Sequence, residues 1–310
     1  MQAPLKVALV GVGKIARDQH IPVIRASDQF ELAYLVSTRP QPEFGVPVHA
    51  SLKEALNAGG HIDAVTICTP PSVRTEVAEM AFEAGCAVML EKPPATDVAT
   101  ALRIEEAARQ AGCVAYASWH SRFAPMVDEA AAWAHQRDIV SGRIVWHEDV
   151  RKWHPGQAWL WEDGGFGVFD PGINALSILS RLLPGSYEVQ RATYQVPENS
   201  RTPIAVDMML HTGTASIDVS FDFRGEQEET WTLDLEDEVG TTLALSQGGA
   251  VLSLNGGPER SGHQLEYERL YSHFAGLIAS GKTDFDLTPL RIAEKANGLA
   301  IRQAVEPIFN

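Results

Sequence analysis

The sequence is short of cysteine, of basic residues and of long apolar runs, and each shortage removes a class of function. Its three cysteines, Cys68, Cys86 and Cys113, are odd in number, far apart and set in apolar segments, so neither a disulfide framework nor a structural zinc site is expected. Lysine and arginine total 25 against 40 acidic residues, a formal net charge of -15 over 310 residues, which argues against a nucleic-acid partner. No apolar run is long enough to span a bilayer, so no membrane partner is expected. The opening Met1-Gln2-Ala3-Pro4 leads straight into a core strand and leaves no room for a signal peptide, which makes the cytoplasm the expected location. There is no HExxH helix motif, no Gly-x-Ser-x-Gly elbow and no internal repeat. Metal hydrolysis and serine-nucleophile chemistry lose their main support, and no metal is expected.

What the chain has in quantity is alternation. Leu5 to Val10, Phe30 to Val36, Ala64 to Ile67, Ala87 to Leu90 and Val114 to Ser118 read as strands, with helices over Ser51 to Asn57, Arg74 to Ala84 and Val98 to Gln110. That order predicts a doubly wound parallel sheet, a dinucleotide-binding domain over residues 1–122. Over residues 123–310 the pattern changes to period-two segments: Arg143 to Val150, Glu188 to Val196, Ile204 to His211, Ala215 to Phe223, Thr230 to Leu235 and Thr241 to Ser246. With helices expected over His263 to Ala279 and Pro289 to Val305 to brace it, this second domain is predicted as α+β with an open, mostly antiparallel sheet. It would bind substrate and support oligomerisation. An outer sheet face on which apolar residues alternate favours a homodimer or larger homo-oligomer.

The first strand runs into Gly11-Val12-Gly13-Lys14-Ile15-Ala16, which fits the G-x-G-x-x-G/A dinucleotide fingerprint. Gly11 permits the tight turn, Gly13 lets the backbone approach a pyrophosphate, Ala16 allows close helix packing, and the N–H groups at Lys14 and Ile15 open the helix toward the anion. At the end of the second strand an NAD site usually carries an acid for the adenosine ribose, but this chain has Ser37-Thr38-Arg39. Two hydroxyls and a guanidinium suit a 2′-phosphate, so NADP is the expected preference, with NAD the alternative. A solvated Arg39 and an indifferent site is the competing reading. Thr69-Pro70 ends the third long strand and shapes the same ligand crevice.

Glu91-Lys92-Pro93 closes the apolar run Ala87 to Leu90, at the carboxyl end where open α/β sheets bind their ligands. Alone it also reads as a strand-ending lysine in a surface loop; beside the glycine fingerprint it reads as a reactive-centre lysine whose backbone is stiffened by Pro93 and Pro94, and a cis Lys92-Pro93 bond is expected. In the second domain, Asp170 and Asn174 open an apolar helical segment four residues apart and would share one face; a plain N-cap is the alternative for Asp170. Between Trp146 and Trp161 the chain concentrates Glu148, Trp153, His154, Trp159 and Trp161. Aromatic faces pack on the C–H face of a pyranose while carboxylate and imidazole groups bind its hydroxyls. Trp146, within an alternating strand, reads as core, whereas Trp153 and His154 lean to a pocket.

Taken together, the GVGKIA turn, the Cys68-Thr69-Pro70-Pro71 strand end, the Glu91-Lys92-Pro93 tripeptide and the Phe169-Asp170-Pro171-Gly172-Ile173-Asn174 segment resemble the Gfo/Idh/MocA oxidoreductases over essentially the whole chain. More narrowly, Trp119-His120-Ser121-Arg122, the Trp146 to Arg151 stretch and Trp153-His154-Pro155-Gly156-Gln157 are similar to the L-arabinose/D-galactose 1-dehydrogenase branch. The resemblance implies a Rossmann domain and oxidation of an aldopyranose (D-galactose, L-arabinose or a relative such as D-fucose) at C1 to its lactone by hydride transfer to NAD(P). For such a reaction Asp170 is assigned as the base for the O1 proton, with cationic Lys92 polarising O1; neutral Lys92 as the base is the alternative. The resemblance assigns His120, Glu148, Trp153, His154 and Trp231 to the sugar, and the glycine turn, Ser37, Thr38, Arg39, Thr69, Pro70, Glu91 and Lys92 to the cofactor. Many members carry histidine four residues after the aspartate; Asn174 here can orient a hydroxyl but cannot act as a base near neutral pH. A non-catalytic sugar or nucleotide sensor, and a reductase of another carbonyl or imine, are the alternatives on the same fold.

Overall fold

In the computed structural model, which describes residues 3–308, the chain divides into two compact units. One holds residues up to Trp119 together with Tyr267–Leu287; the other holds His120–Glu266 together with the residues from Thr288 onward.

The first unit is built on a parallel sheet of six strands in the order β3-β2-β1-β4-β5-β6. Its elements follow the expected alternation: β1 (Leu5–Val10), α1 (Ile21–Ala26), β2 (Phe30–Val36), β3 (Val48–His49), α2 (Leu52–Asn57), β4 (Ala64–Ile67), α3 (Arg74–Glu83), β5 (Ala87–Leu90), α4 (Val98–Ala111) and β6 (Ala115–Ala117). β4 and β5 are buried on both faces, which is why they are continuous apolar runs. The helices start at the residues their sequences specify: Ser51 accepts from Glu54 N, Asp97 accepts from Thr100 N, and Gly112 ends α4 in the left-handed region at φ 65°. One turn of π-helix, Ala16–His20, stands between the glycine turn and α1, and it carries His20 into the core with no exposed surface.

The second unit contains a nine-stranded sheet ordered β14-β13-β12-β11-β7-β10-β9-β8-β15. Its elements begin with α5 (Val127–Ala134), β7 (Ile139–His147), α6 (Val150–Trp153), α7 (Phe169–Leu182), β8 (Glu188–Pro197), β9 (Ala205–Thr212), β10 (Ala215–Asp222), β11 (Thr230–Asp237), β12 (Thr242–Ser246), β13 (Val251–Leu254) and β14 (Arg260–Ser261). The pairs are antiparallel except β7 with β10 and β8 with β15. α7 lies against the sheet so closely that a Cβ on Gly172 would stand 2.5 Å from the Phe221 ring. The outer face departs from expectation, because it is polar: Arg143, Arg191, Asp207 and Asp218 line a depression of about 370 Å³.

Two C-terminal expectations change. The helix expected to brace the second sheet, α8 (Glu266–Ser280), packs in the first unit, where Tyr271 and Phe274 lie against Phe30 at ring separations of 5.3 and 6.0 Å. The residues after it then run along the β6 edge, with Ala117 N donating to Asp284 O at 3.0 Å and Asp284 N to Ala115 O at 3.1 Å. The helix expected to reach Val305 stops at Leu299 (α9, Thr288–Leu299), and β15 (Ile301–Val305) follows, because pairing alongside β8 captures those residues as an edge strand. All three cysteines are free; burial pushes the Cys86 thiol up to about 11. No helix among the described residues is long and apolar enough to cross a membrane.

Candidate active site

In the first unit the functional candidates collect at the carboxyl ends of β1, β2, β4 and β5. Gly11 turns at φ 90° and donates its N–H to Val36 O at 3.0 Å, tying the β1 and β2 ends together. An added Cβ there would stand 2.8 Å from Thr69 N, so only glycine lets the turn sit against β4's end. Gly13 has open space where its Cβ would be. Behind it Ala16 is fully buried, which is the close packing its small side chain permits. Lys14 is exposed and pairs with Asp18, and Ile15 is half-buried.

At the end of β2, the Ser37 hydroxyl oxygen accepts from Arg39 N at 3.1 Å and from Gln41 Nε2 at 3.2 Å. Both lone pairs are then used, and the O–H remains to donate to an anion. Thr38 and Arg39 are exposed beside it. The nearest acid in sequence, Glu43, is engaged with Arg17 at 2.5 Å, and Arg17 also holds Gln41. Thr69 Oγ1 is buried and makes no hydrogen bond, and Pro70 next to it is exposed. Glu91 Oε2 accepts the Lys92 N–H at 2.7 Å, Lys92 is half-buried, and the Lys92-Pro93 bond is cis as expected. The cradle at Gly13, the unmatched Thr69 hydroxyl and the Ser37-Arg39 donors fit a dinucleotide with its phosphates on this edge of the sheet.

In the second unit, Asp170 sits inside the first turn of α7 with 4% of its surface exposed. The N-cap position belongs to Val168, and no side chain caps it, so Asp170 is not the helix cap. Asn174 follows one turn on, half-buried. His154, just after α6, lies between two buried carboxylates, with Nε2 3.4 Å from Glu148 Oε1 and Nδ1 3.5 Å from Asp170 Oδ2. The Nδ1 approach lacks hydrogen-bond geometry, and Nδ1 is buried without a hydrogen-bond partner. Trp231 Nε1 donates to the other Glu148 oxygen at 3.0 Å, and the Trp153 ring meets Trp231 edge-on at 5.5 Å. Trp153 is further held by its Nε1 bond to Glu229 Oε1 at 2.7 Å. His154 and Trp161 also line a cavity of about 450 Å³ with Pro155, Gly156 and Gln157. Trp146 is core, as its alternating strand implied.

His120 is half-buried in the turn that follows β6. Its turn, His120–Phe123, is fastened further along α7, where Arg122 donates to Ser177 O at 3.1 Å and Ser180 Oγ at 2.8 Å. Gln41, Glu229, His20, Arg74 and Tyr267 join these contacts without belonging to any of the sequence motifs. His20, Arg74 and Tyr267 each stand on the apolar face of a helical segment, which is the signal a buried polar group leaves, whereas Gln41 and Glu229 lie in loops and leave none.

Residues 5–118 match the model of the oxidoreductase family with an NAD-binding Rossmann fold. A galactose 1-dehydrogenase from Pseudomonas fluorescens is 39% identical over 99% of both chains. The crystal structure of a D-galactose-1-dehydrogenase from Rhizobium etli superposes with a TM-score of 0.92 at 40% identity, covering 100% of this chain and 99% of that one. A 3-ketoreductase from Actinomadura kijaniata in complex with NADP and TDP-benzene shares the fold, with a TM-score of 0.86 at 18% identity over 97% of this chain and 99% of its own. With the glycine turn, the lysine turn and the α7 aspartate set where the sequence placed them, and relatives alike from end to end, the chain belongs to the Gfo/Idh/MocA oxidoreductase family.

Proposed function

We propose that the protein oxidises an aldopyranose at C1 to the lactone, taking D-galactose, L-arabinose or D-fucose, with NADP used at least as well as NAD. The row Asp170, His154, Glu148 and Trp231 carries this reading, since it sets two carboxylates and an imidazole beside tryptophan rings, the inventory a pyranose requires. Its likeness to a galactose 1-dehydrogenase over nearly the full length supports the same choice. D-Galactopyranose and L-arabinopyranose share configuration from C1 to C4, so one set of hydroxyl contacts serves both.

When bound, the nicotinamide supplies the hydride acceptor. Gly11, Gly13, Lys14, Ile15, Ser37, Thr38, Arg39, Thr69, Pro70, Glu91 and Lys92 would hold the dinucleotide. Asp170 takes the O1 proton, and cationic Lys92 steadies the charge developing on O1. His154 and Glu148 bind sugar hydroxyls, Trp153 and Trp231 give the stacking wall, His120 adds a further polar contact, and Asn174 orients O1 or its neighbour. A homodimer or larger assembly is part of this reading; the outer sheet face offers charges of both signs, with Arg143, Arg191, Asp207 and Asp218 lining its depression and Arg191 pairing with Asp218 at 3.3 Å.

The test is purified protein with NADP or NAD and a panel of D-galactose, L-arabinose, D-fucose and D-glucose, followed by the appearance of reduced cofactor. Oxidation of the galactose-configured sugars is expected. Silence on every free aldose, with reduction of a ketosugar by the reduced cofactor, would replace the proposal with a family reductase.

A further inference from the structure

The backbone around Lys92 is gripped from both sides by buried charged side chains. On one side Glu91 Oε2 accepts the Lys92 N–H at 2.7 Å, while Glu91 Oε1 accepts from Tyr267 Oη at 2.8 Å and meets His20 Nε2 at 3.1 Å. On the other side the Arg74 guanidinium donates to Glu91 O and Pro93 O, the carbonyls flanking Lys92, and its Nε donates to Thr69 O at 2.8 Å. The support continues inward: His20 Nδ1 lies 2.9 Å from Tyr271 Oη, which lies 3.3 Å from Thr66 Oγ1. Glu91, Arg74 and His20 are 3%, 4% and 0% exposed. Tyr267 and Tyr271 are one helical turn apart and so share a face of α8.

A core built for stability alone does better with apolar residues, because desolvating charges costs as much as pairing returns. Here the charged groups gather at the one strand end from which the reactive lysine projects. We propose that Glu91 and Arg74 are positioning residues for Lys92, that Tyr267 and His20 hold Glu91 in its orientation, and that α8 completes the nucleotide-binding unit by supplying this support. The proposal rests on the reading that Lys92 serves the reaction.

Glu91→Gln replaces one acceptor oxygen with a donor, so either the Lys92 N–H or the Tyr267 and His20 donors face an N–H. Tyr267→Phe removes only a hydroxyl. Amide hydrogen exchange at Lys92 is expected to speed up by roughly tenfold or more in Glu91→Gln, because the amide loses its charged acceptor. In the same variant kcat should fall by about tenfold with the sugar KM within about threefold, and Tyr267→Phe should lose about threefold in kcat with both KM values within about threefold. The double variant should be no slower than Glu91→Gln, since the hydroxyl acts through the carboxylate. A merely structural role would lower the melting temperature and leave kcat and Lys92 exchange unchanged, and that result overturns the proposal. If Glu91→Gln does not fold, Tyr267→Phe carries the same two readouts. A wild-type protein that oxidises no aldose would defeat the proposed reaction, while the exchange measurement would still decide the clamp.

Discussion

Replacing Gly11 or Gly13 with alanine adds one methyl group two residues apart, and the structure assigns the two methyls opposite consequences. At Gly11 the backbone sits at φ 90°, where a side chain costs about 1–2 kcal/mol. The new Cβ would also lie 2.8 Å from Thr69 N and 3.0 Å from Cys68 C, backbone atoms that cannot swing aside, and such overpacking costs about 1–3 kcal/mol. Gly11→Ala should therefore lose about 2–5 kcal/mol of stability in urea unfolding. At Gly13 φ is not positive and no atom lies within 4 Å of the added Cβ, so the fold should be unharmed or gain up to about 1 kcal/mol. The open space is where a pyrophosphate would approach. Losing a charge-assisted contact of about 1.5–3 kcal/mol should weaken NADP binding roughly ten- to hundredfold in a fluorescence titration of Gly13→Ala. A Gly13→Ala protein that binds NADP as tightly as wild type would refute the placement of the phosphates at this turn, whatever happens at Gly11.

Arg39→Ala should raise the KM for NADP by roughly tenfold or more and leave that for NAD nearly unchanged; equal effects on both would remove the 2′-phosphate contact. Asp170→Asn and Lys92→Met should each cut turnover by roughly a hundredfold or more, the former with cofactor affinity little altered, and the pair together should cost little beyond the worse single change. Near-native turnover in Asp170→Asn would transfer the base to Lys92. Burial lowers the His20 pKa, but Cys68, Tyr271 and Glu91 around it raise it well above the ordinary histidine value, and Tyr267 beside Glu91 is held protonated by burial. Its protonated form thus contributes stability that is complete below the unfolded histidine pKa of about 6.5 and is lost as pH rises through the raised folded value. Urea midpoints should fall from neutral toward alkaline pH, and less steeply in His20→Gln; identical slopes would show that His20 is not the group responsible.

The sequence by itself determined the elements whose causes are local. β4, β5 and the Val7–Val10 part of β1 are apolar runs that can only be buried, Gly11 is required by its own φ, and α2 and α4 begin at their capping residues Ser51 and Asp97. The strand-end positions of Thr69 and Lys92 followed from those runs, because a parallel sheet exposes its chemistry where its strands stop. Asp170 and His154 were legible as polar residues in unusual company, but their 3.5 Å approach was not, since it depends on how α6 and α7 settle on one sheet. Tertiary structure alone decided that Ile301–Val305 leaves the helical pattern to pair with β8, and that α8 joins the first unit after the chain has finished most of the second. It also joined Tyr267 to Glu91 across 176 residues and His20 to Glu91 across 71. A histidine, a glutamate and a tyrosine in separate apolar stretches each look like an unpaired liability in one dimension. Only when burial forces each to find a hydrogen-bond partner does the fold select which three must meet.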